Sequence, residues 1–218
     1  MSGVQRPVYR HGELERLFNP RSIAIYGASR NERSFSGRTL ANLGQYTGGL
    51  YLINPKYDRI GERPCYAAIA ELPEVPDCVL VAVPQADVER TVIECAEHKV
   101  GGVVIFAAGY AETGKPEGIA LQRRLTGLAQ DTGIRILGPN CQGFMNFSRL
   151  AGLSFTNGLR TLTPPTDTAI GLVSQSGALG FGLVQAAMTG MSFSHLLASG
   201  NACDVDVADQ ISFLADSE

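Results

Sequence analysis

Short, almost continuous apolar runs recur along the first two thirds of the chain, at residues 22–27, 49–55, 78–84, 101–109 and 135–140. They are rich in Val and Ile and scarcely alternate with polar residues. That is the pattern of parallel strands buried on both faces. Helical spacing fills the gaps at 34–46, 86–98 and 116–132, the last with Pro116 in its first turn. A shorter helix at 67–72 stops at Pro73. This βαβα alternation predicts an α/β fold, a doubly wound parallel sheet with right-handed crossovers.

From 146 to 167 the pattern loosens into polar, turn-rich sequence containing Pro164 and Pro165. It reads as a connection into a second unit. That unit has a strand at 169–174, a helix at 175–190, a strand at 194–199 and a helix at 205–216. The expected domains are therefore 1–150 and 151–218. Two βα units cannot cover both faces of an open sheet, so the second unit is expected to be a truncated α/β piece. Exposed apolar area there would favour a homo-oligomer. The last helix has no strand after it, as expected of a portion of a longer protein. No repeat of fixed period and no low-complexity tract interrupts the pattern.

Composition narrows the function classes. The 218 residues carry a net charge of −3, with acidic and basic residues intermixed, and 44% are hydrophobic. That is ordinary for a globular protein with a real core, and it lacks the basic stripe of a nucleic-acid binder. Cys65, Cys78, Cys95, Cys141 and Cys203 are odd in number, widely spaced and without a CxxC pair. Neither a disulfide framework nor a metal site is expected, and a reducing cytoplasmic setting fits. The first twenty residues hold no signal-peptide apolar core, and no run reaches membrane-spanning length.

The candidate chemistry lies where the apolar runs end. In an open α/β sheet ligands bind at the carboxyl ends of the strands. The first run ends in Gly27-Ala28-Ser29-Arg30. Small residues let an anion approach the backbone there, the next helix offers its positive end, and Arg30 and Arg33 add charge. The dinucleotide pattern G-x-G-x-x-G is absent. The second run ends in Asn54-Pro55-Lys56, a cation where NAD would want a carboxylate. Lys56, with Arg59, suits a phosphate-bearing ribose or a pyrophosphate, which NADP and coenzyme A both supply. Val83-Pro84 offers a rigid surface for a flat ring. Ala107 to Gly109 leave room for a ligand backbone. Ser174-Gln175-Ser176-Gly177 stands at a helix start and is a second candidate anion site.

Several motifs taken together resemble the NDP-forming acyl-CoA synthetases, relatives of the succinyl-CoA synthetase α subunit. They are PRSIAIYGAS, GGLYLINPKYDRIGERPCY, VLVAVP, VVIFAAGYAETG, RILGPNCQGF, IGLVSQSGALG and ASGNACDVDVADQI, in family order over nearly the whole chain. The resemblance implies a Rossmann-like CoA-binding domain followed by the start of a flavodoxin-like ligase domain. It implies that Gly27, Ala28, Ser29 and Arg30 hold CoA phosphates and that Lys56 is the family lysine after the second strand. Val83 and Pro84 would border the adenine or pantetheine. Phe106, Ala107 and Ala108 would line the channel, and Asn140 would lie near the thiol. Ser174, Gln175, Ser176 and Gly177 would contact a phosphohistidine loop.

The implied reaction joins a small carboxylic acid to CoA with ATP or GTP and Mg, through an acyl phosphate and a phosphohistidine. His11, His98 and His195 do not match that histidine, which is expected outside this chain with the ATP-grasp domain or subunit. No catalytic residue is therefore expected here, and the chain alone should bind CoA without turnover. Cys141 reads as a loop support, not a nucleophile. Tyr26 is bulkier than the aliphatic residue usual before the first glycine. Two other readings stay open: a CoA-responsive module of a protein acetyltransferase, and an NAD(H)-binding regulatory domain.

Overall fold

The computed structural model describes residues 6–157, 162–166, 168–183 and 190–215. Its first sheet is built from β1 (Ser22–Tyr26), β2 (Gly49–Ile53), β3 (Arg59–Ile60), β4 (Arg63–Tyr66), β5 (Cys78–Val81), β6 (Gly102–Ile105) and β7 (Arg135–Leu137). The strand order is β3-β4-β2-β1-β5-β6-β7. All neighbours are parallel except the β3–β4 hairpin. The chain runs outward from β1 through β2 to β4, then returns to β5 on the other side of β1. The topological switch therefore lies between β1 and β5.

The missing polar alternation has its explanation in two cores. Ile23, Ile25, Leu80, Val104 and Leu137 point to one face of the sheet. Ala24, Val79, Val81, Val103, Ile105 and Ile136 point to the other. Helices α3 (Gln85–Glu97) and α4 (Pro116–Thr132) cover the second face with Val88, Val92, Leu125 and Ala129. The first face is covered by α1 (His11–Phe18), α2 (Phe35–Asn42) and part of the second unit. Helix α1 lies in the amino-terminal stretch where no element was expected. It buries Leu14, Leu17 and Phe18. The expected helix at 67–72 is a single 3-10 turn, Ile69–Glu71.

The second sheet is mixed, in the order β10-β11-β8-β9. Its strands β10 (Ile170–Ser174) and β11 (Phe193–Ala198) are parallel. Strands β8 (Phe144–Asn146) and β9 (Ala151–Leu153) form an antiparallel hairpin that joins β11. That sheet thus draws one strand from before residue 150, and the hairpin stands where only a loose connection was expected. Three-residue strands are too short to show a period. Helix α5 (Gly177–Leu183) begins the expected 175–190 helix, whose 184–189 stretch lies outside the described residues. Helix α6 (Val207–Ala215) packs on α1 and β10. Strand β10 is an edge, and Ile170, Leu179, Met191 and Ile211 are exposed around this unit. No described helix is long and apolar enough to cross a membrane.

Arg6 and Tyr9 fasten the amino-terminal arm to α6. Arg6 pairs with Asp209, and Tyr9 donates its backbone N–H to Asp209 (2.8 Å) and its hydroxyl to Asp204 (2.7 Å). Asp204 also accepts the N–H of Ile136 on β7 at 2.9 Å. One buried carboxylate therefore joins the arm, the first sheet and the second unit. The Tyr9 ring lies between the guanidinium groups of Arg6 and Arg135, 3.7 and 3.8 Å from its centroid.

Candidate functional site at the carboxyl ends of the first sheet

The exits of β2, β1, β5, β6 and β7 are tied to one another in turn by hydrogen bonds. At the exit of β1, Gly27 has φ +86°, and a Cβ there would lie 2.5 Å from the carbonyl oxygen of Ala82. Only glycine lets this turn press against the exit of β5. The N–H groups of Gly27 and Ala28 both donate to Ile53 O. Those two residues therefore shape the turn, while Ser29 and Arg30 project beyond it. Ser29 Oγ accepts the N–H of Asn31, and Asn31 Oδ1 accepts that of Arg33. Ser34 caps α2 by accepting the N–H of Gly37 at 3.0 Å.

The exit of β2 lies beside this turn. The Asn54 side chain donates to Ala28 O at 2.7 Å and accepts the N–H of Lys56 at 3.0 Å. One amide thus sets both the turn after β1 and the loop that carries Lys56, which is exposed. Arg30 donates to Arg59 O and lies 4.7 Å over the Tyr57 ring. Its guanidinium is thereby tied to the segment that follows β2.

On the far side, Val83 and Pro84 lead into α3, with Pro84 in the cap position. Gln85 donates to Gly109 O at 2.6 Å, tying this exit to the loop after β6. Phe106 is buried, Ala107 is half-buried and Ala108 is exposed. Ala107 O accepts the N–H of Asn140, so the loop after β7 joins the series at 2.9 Å. Asn140 is exposed, with φ +52°. Its side-chain amide donates to Asn201 Oδ1 at 3.2 Å. Asn201 in turn donates to Glu112 and to Gln122. Burial works against ionisation of Glu112, but the Asn201 amide and the N–H groups of Gly109 and Tyr110 outweigh it. Its carboxyl is held below the usual range.

The second candidate anion site docks on the same series. Ser199 N–H donates to Ser174 O, and Gln175 and Gly200 exchange bonds through Gly200 N–H and Gln175 Nε2. Ser174 Oγ donates to Ser176 O at 2.8 Å, and Ser176 Oγ accepts the N–H of Leu179. A Cβ on Gly177 would lie 2.6 Å from the Gln142 side chain, so α5 starts hard against the loop after β7.

The predicted residues of the first crevice and of the Ser174–Gly177 turn thus lie on one connected set of loops. The residues that connect them are not singled out by the sequence, although Asn54, Glu112 and Gln142 lie inside the quoted motifs and Gln85 directly follows one. Burial pushes the Cys141 thiol up to about 12, and its Sγ donates to backbone carbonyls of Ile105 and Leu137. That is the environment of a loop support. His98 caps α3, and His11 bonds Phe213 O and Glu15. His195 is buried, with neither ring nitrogen hydrogen-bonded among the described residues. No described group of His, Cys, Asp and Glu side chains could hold a metal ion.

Comparison with known proteins accounts for both units. Residues 21–146 match the model of the CoA binding domain, and residues 167–218 match the succinyl-CoA ligase like flavodoxin domain. The α subunit of an ADP-forming acetate–CoA ligase from Pyrococcus furiosus is 36% identical over 94% of this chain and 44% of its own length. A trans-feruloyl-CoA synthase from an unknown prokaryotic organism is 37% identical over 96% of the chain and 30% of its own length. A crystal structure from Pyrococcus horikoshii superposes with a TM-score of 0.85 at 36% identity, over 94% of this chain and 46% of that one. An acetyl-coenzyme A synthetase from Candidatus Korarchaeum cryptofilum, solved with phosphate and ADP, gives 0.84 at 29% identity, over 94% and 43%. The chain therefore spans less than half the length of these relatives.

Proposed function

Because this chain belongs to the CoA binding domain family, we propose that it is the CoA-binding portion of an NDP-forming acyl-CoA synthetase. The whole enzyme would convert a carboxylate, CoA and a nucleoside triphosphate into acyl-CoA, nucleoside diphosphate and phosphate. The observation that carries this reading is the connected set of loops from Asn54 through Ala28, Gln85, Ala107 and Asn140 to Gln175. It supports one preformed crevice with cations at one end and a second turn for phosphate at the other.

In this reading Ser29 and Arg30 face the CoA pyrophosphate, while Gly27 and Ala28 keep its path open. Lys56 meets a further phosphate, and Val83 and Pro84 flank the adenine or pantetheine. Phe106, Ala107 and Ala108 line the arm, and Asn140 stands near the thiol. The chemistry explains the second turn. A carboxylate is a poor electrophile, so it is first made into an acyl phosphate. The CoA sulfur then bonds to the acyl carbon, the C–O bond to phosphate breaks, and the thiol proton leaves with the phosphate or solvent. Residues Ser174 to Gly177 would hold the phosphoryl group near that carbon, so the protein's part is positioning and charge stabilisation. The phosphorylated histidine and the ATP-grasp partner, with nucleotide and Mg, would come from outside these 218 residues. The chain alone would bind CoA without turnover. Domains at 1–150 and 151–218 remain our division of labour between CoA and phosphate.

Calorimetric titration with CoA and with NADH tests the assignment. CoA should bind in the micromolar range and NADH should not. Binding of NADH without CoA would replace this reading with a dinucleotide-binding regulatory domain.

A further inference from the structure

Three phenylalanines from separate parts of the sequence meet beside the crevice. Phe35 and Phe155 stack with centroids 4.3 Å apart and planes 22° apart. Phe106 meets Phe155 edge-on at 4.9 Å and Phe35 at 6.5 Å. Phe106 is 5% exposed and anchors the group, but Phe35 is 47% exposed. Phe155 packs on the Phe35 ring and the Arg38 guanidinium lies 5.5 Å from its centroid, yet about half of the residue stays exposed.

The position of this cluster gives it meaning. Phe35 directly follows Ser34, the cap that closes the anion turn. Phe106 follows β6 and precedes Ala107, whose carbonyl holds Asn140. Phe155 precedes Thr156, which donates to Gln142, the residue packed against Gly177. The aromatic corner thus adjoins both the CoA turn and the second anion turn. With the Arg38 guanidinium donating to Arg33 O at 3.1 Å, the exposed part of the ring itself has nothing to offer a phosphate. It suits the part of a thioester that is neither phosphate nor amide.

We propose that Phe35, Phe155 and Phe106 form a seat for the acyl group, and that it takes planar aromatic acyl groups in preference to acetyl. The proposal rests on the CoA reading above. A flat guest lying on Phe35 would extend the existing offset stack, and the Phe106 edge fixes the angle of that stack. An acetyl group is too small to cover the ring. An aromatic pair together with the apolar area it removes from water corresponds to about a five- to tenfold gain in affinity.

The test is titration of the chain with CoA, acetyl-CoA and benzoyl-CoA, repeated on Phe35→Ala and Phe35→Leu. The leucine keeps apolar volume at a helix start while removing the ring, so it guards against loss of folding. We expect benzoyl-CoA to bind about five- to tenfold more tightly than acetyl-CoA, with that ratio falling towards one in both variants. If CoA itself does not bind, the CoA reading fails and takes this proposal with it. If CoA binds but benzoyl-CoA is no tighter than acetyl-CoA, the aromatic seat alone is overturned. A preference that persists in Phe35→Leu overturns it equally.

Discussion

The side-chain amide of Asn54 bonds the carbonyl oxygen of Ala28 at 2.7 Å, and its oxygen takes the N–H of Lys56 at 3.0 Å. Two loops from neighbouring strands therefore share one part-buried anchor. Such a bond contributes about 1 kcal/mol, and more when its partner is left unsatisfied. Asn54→Ala should weaken CoA binding about tenfold, because it frees the anion turn and the Lys56 loop together. Calorimetry on the variant decides this, and an unchanged affinity would show that each loop holds its own shape.

Lys56 is the exposed cation of that loop, so its contribution should be electrostatic and sensitive to salt. Lys56→Ala should lower CoA affinity about five- to tenfold at low ionic strength and less at high salt. Dephospho-CoA separates the two sites this lysine suits. If the variant loses affinity for CoA but not for dephospho-CoA, Lys56 reads the ribose phosphate. Equal losses place it on the pyrophosphate instead.

The five thiols should differ sharply in reactivity. Cys78, Cys95, Cys141 and Cys203 are buried, and burial pushes each thiol up from its ordinary value. Cys65 is half-buried and its thiol is raised as well, again mainly by burial. Alkylation of the native chain near pH 8, read by peptide mass spectrometry, should mark Cys65 first and slowly. Rapid labelling of Cys141 would contradict its place as a loop support and reopen it as a reactive group.

Much of this architecture is legible in the sequence because parallel strands buried on both faces leave uninterrupted apolar runs. The runs ending at Gly27, Pro84 and Asn140 mark the strand exits, since chain reversals there demand small or rigid residues. Helix α4 shows both its ends, with Pro116 at the start and Gly133 in the left-handed region after the last turn. What escapes is structure that rests on tertiary pairing. The β8–β9 hairpin has strands of three residues, stabilised by β11 more than by any local pattern. Helix α1 is a short amphipathic piece whose apolar side needs the sheet. The bonds of Asn54 to Ala28 and Asn201 to Asn140 join residues far apart in the chain, and no spacing rule reports them.

His195 supplies a testable pH dependence of stability. It sits on β11 with its ring edge-on to Phe213 at 5.7 Å, and neither ring nitrogen has a hydrogen-bond partner among the described residues. Burial lowers its pKa from 6.5 to about 4, more than the nearby Glu15 carboxylate restores, and His11 lowers it further. The folded chain therefore keeps this ring neutral where the unfolded chain begins to protonate it. The stability it contributes is complete above about pH 6.5 and is lost as pH falls towards 4, where the folded form also takes the proton. A shift of this size corresponds to roughly 3 kcal/mol over that window. Urea unfolding at several pH values between 7.5 and 4 should show the loss, and His195→Leu should flatten it, because the leucine fills the site without a titrating group. Glu15 and His11 remain in both proteins, so the difference between the two curves isolates the buried ring. Parallel curves would mean that His195 opens to water before the rest of the chain unfolds.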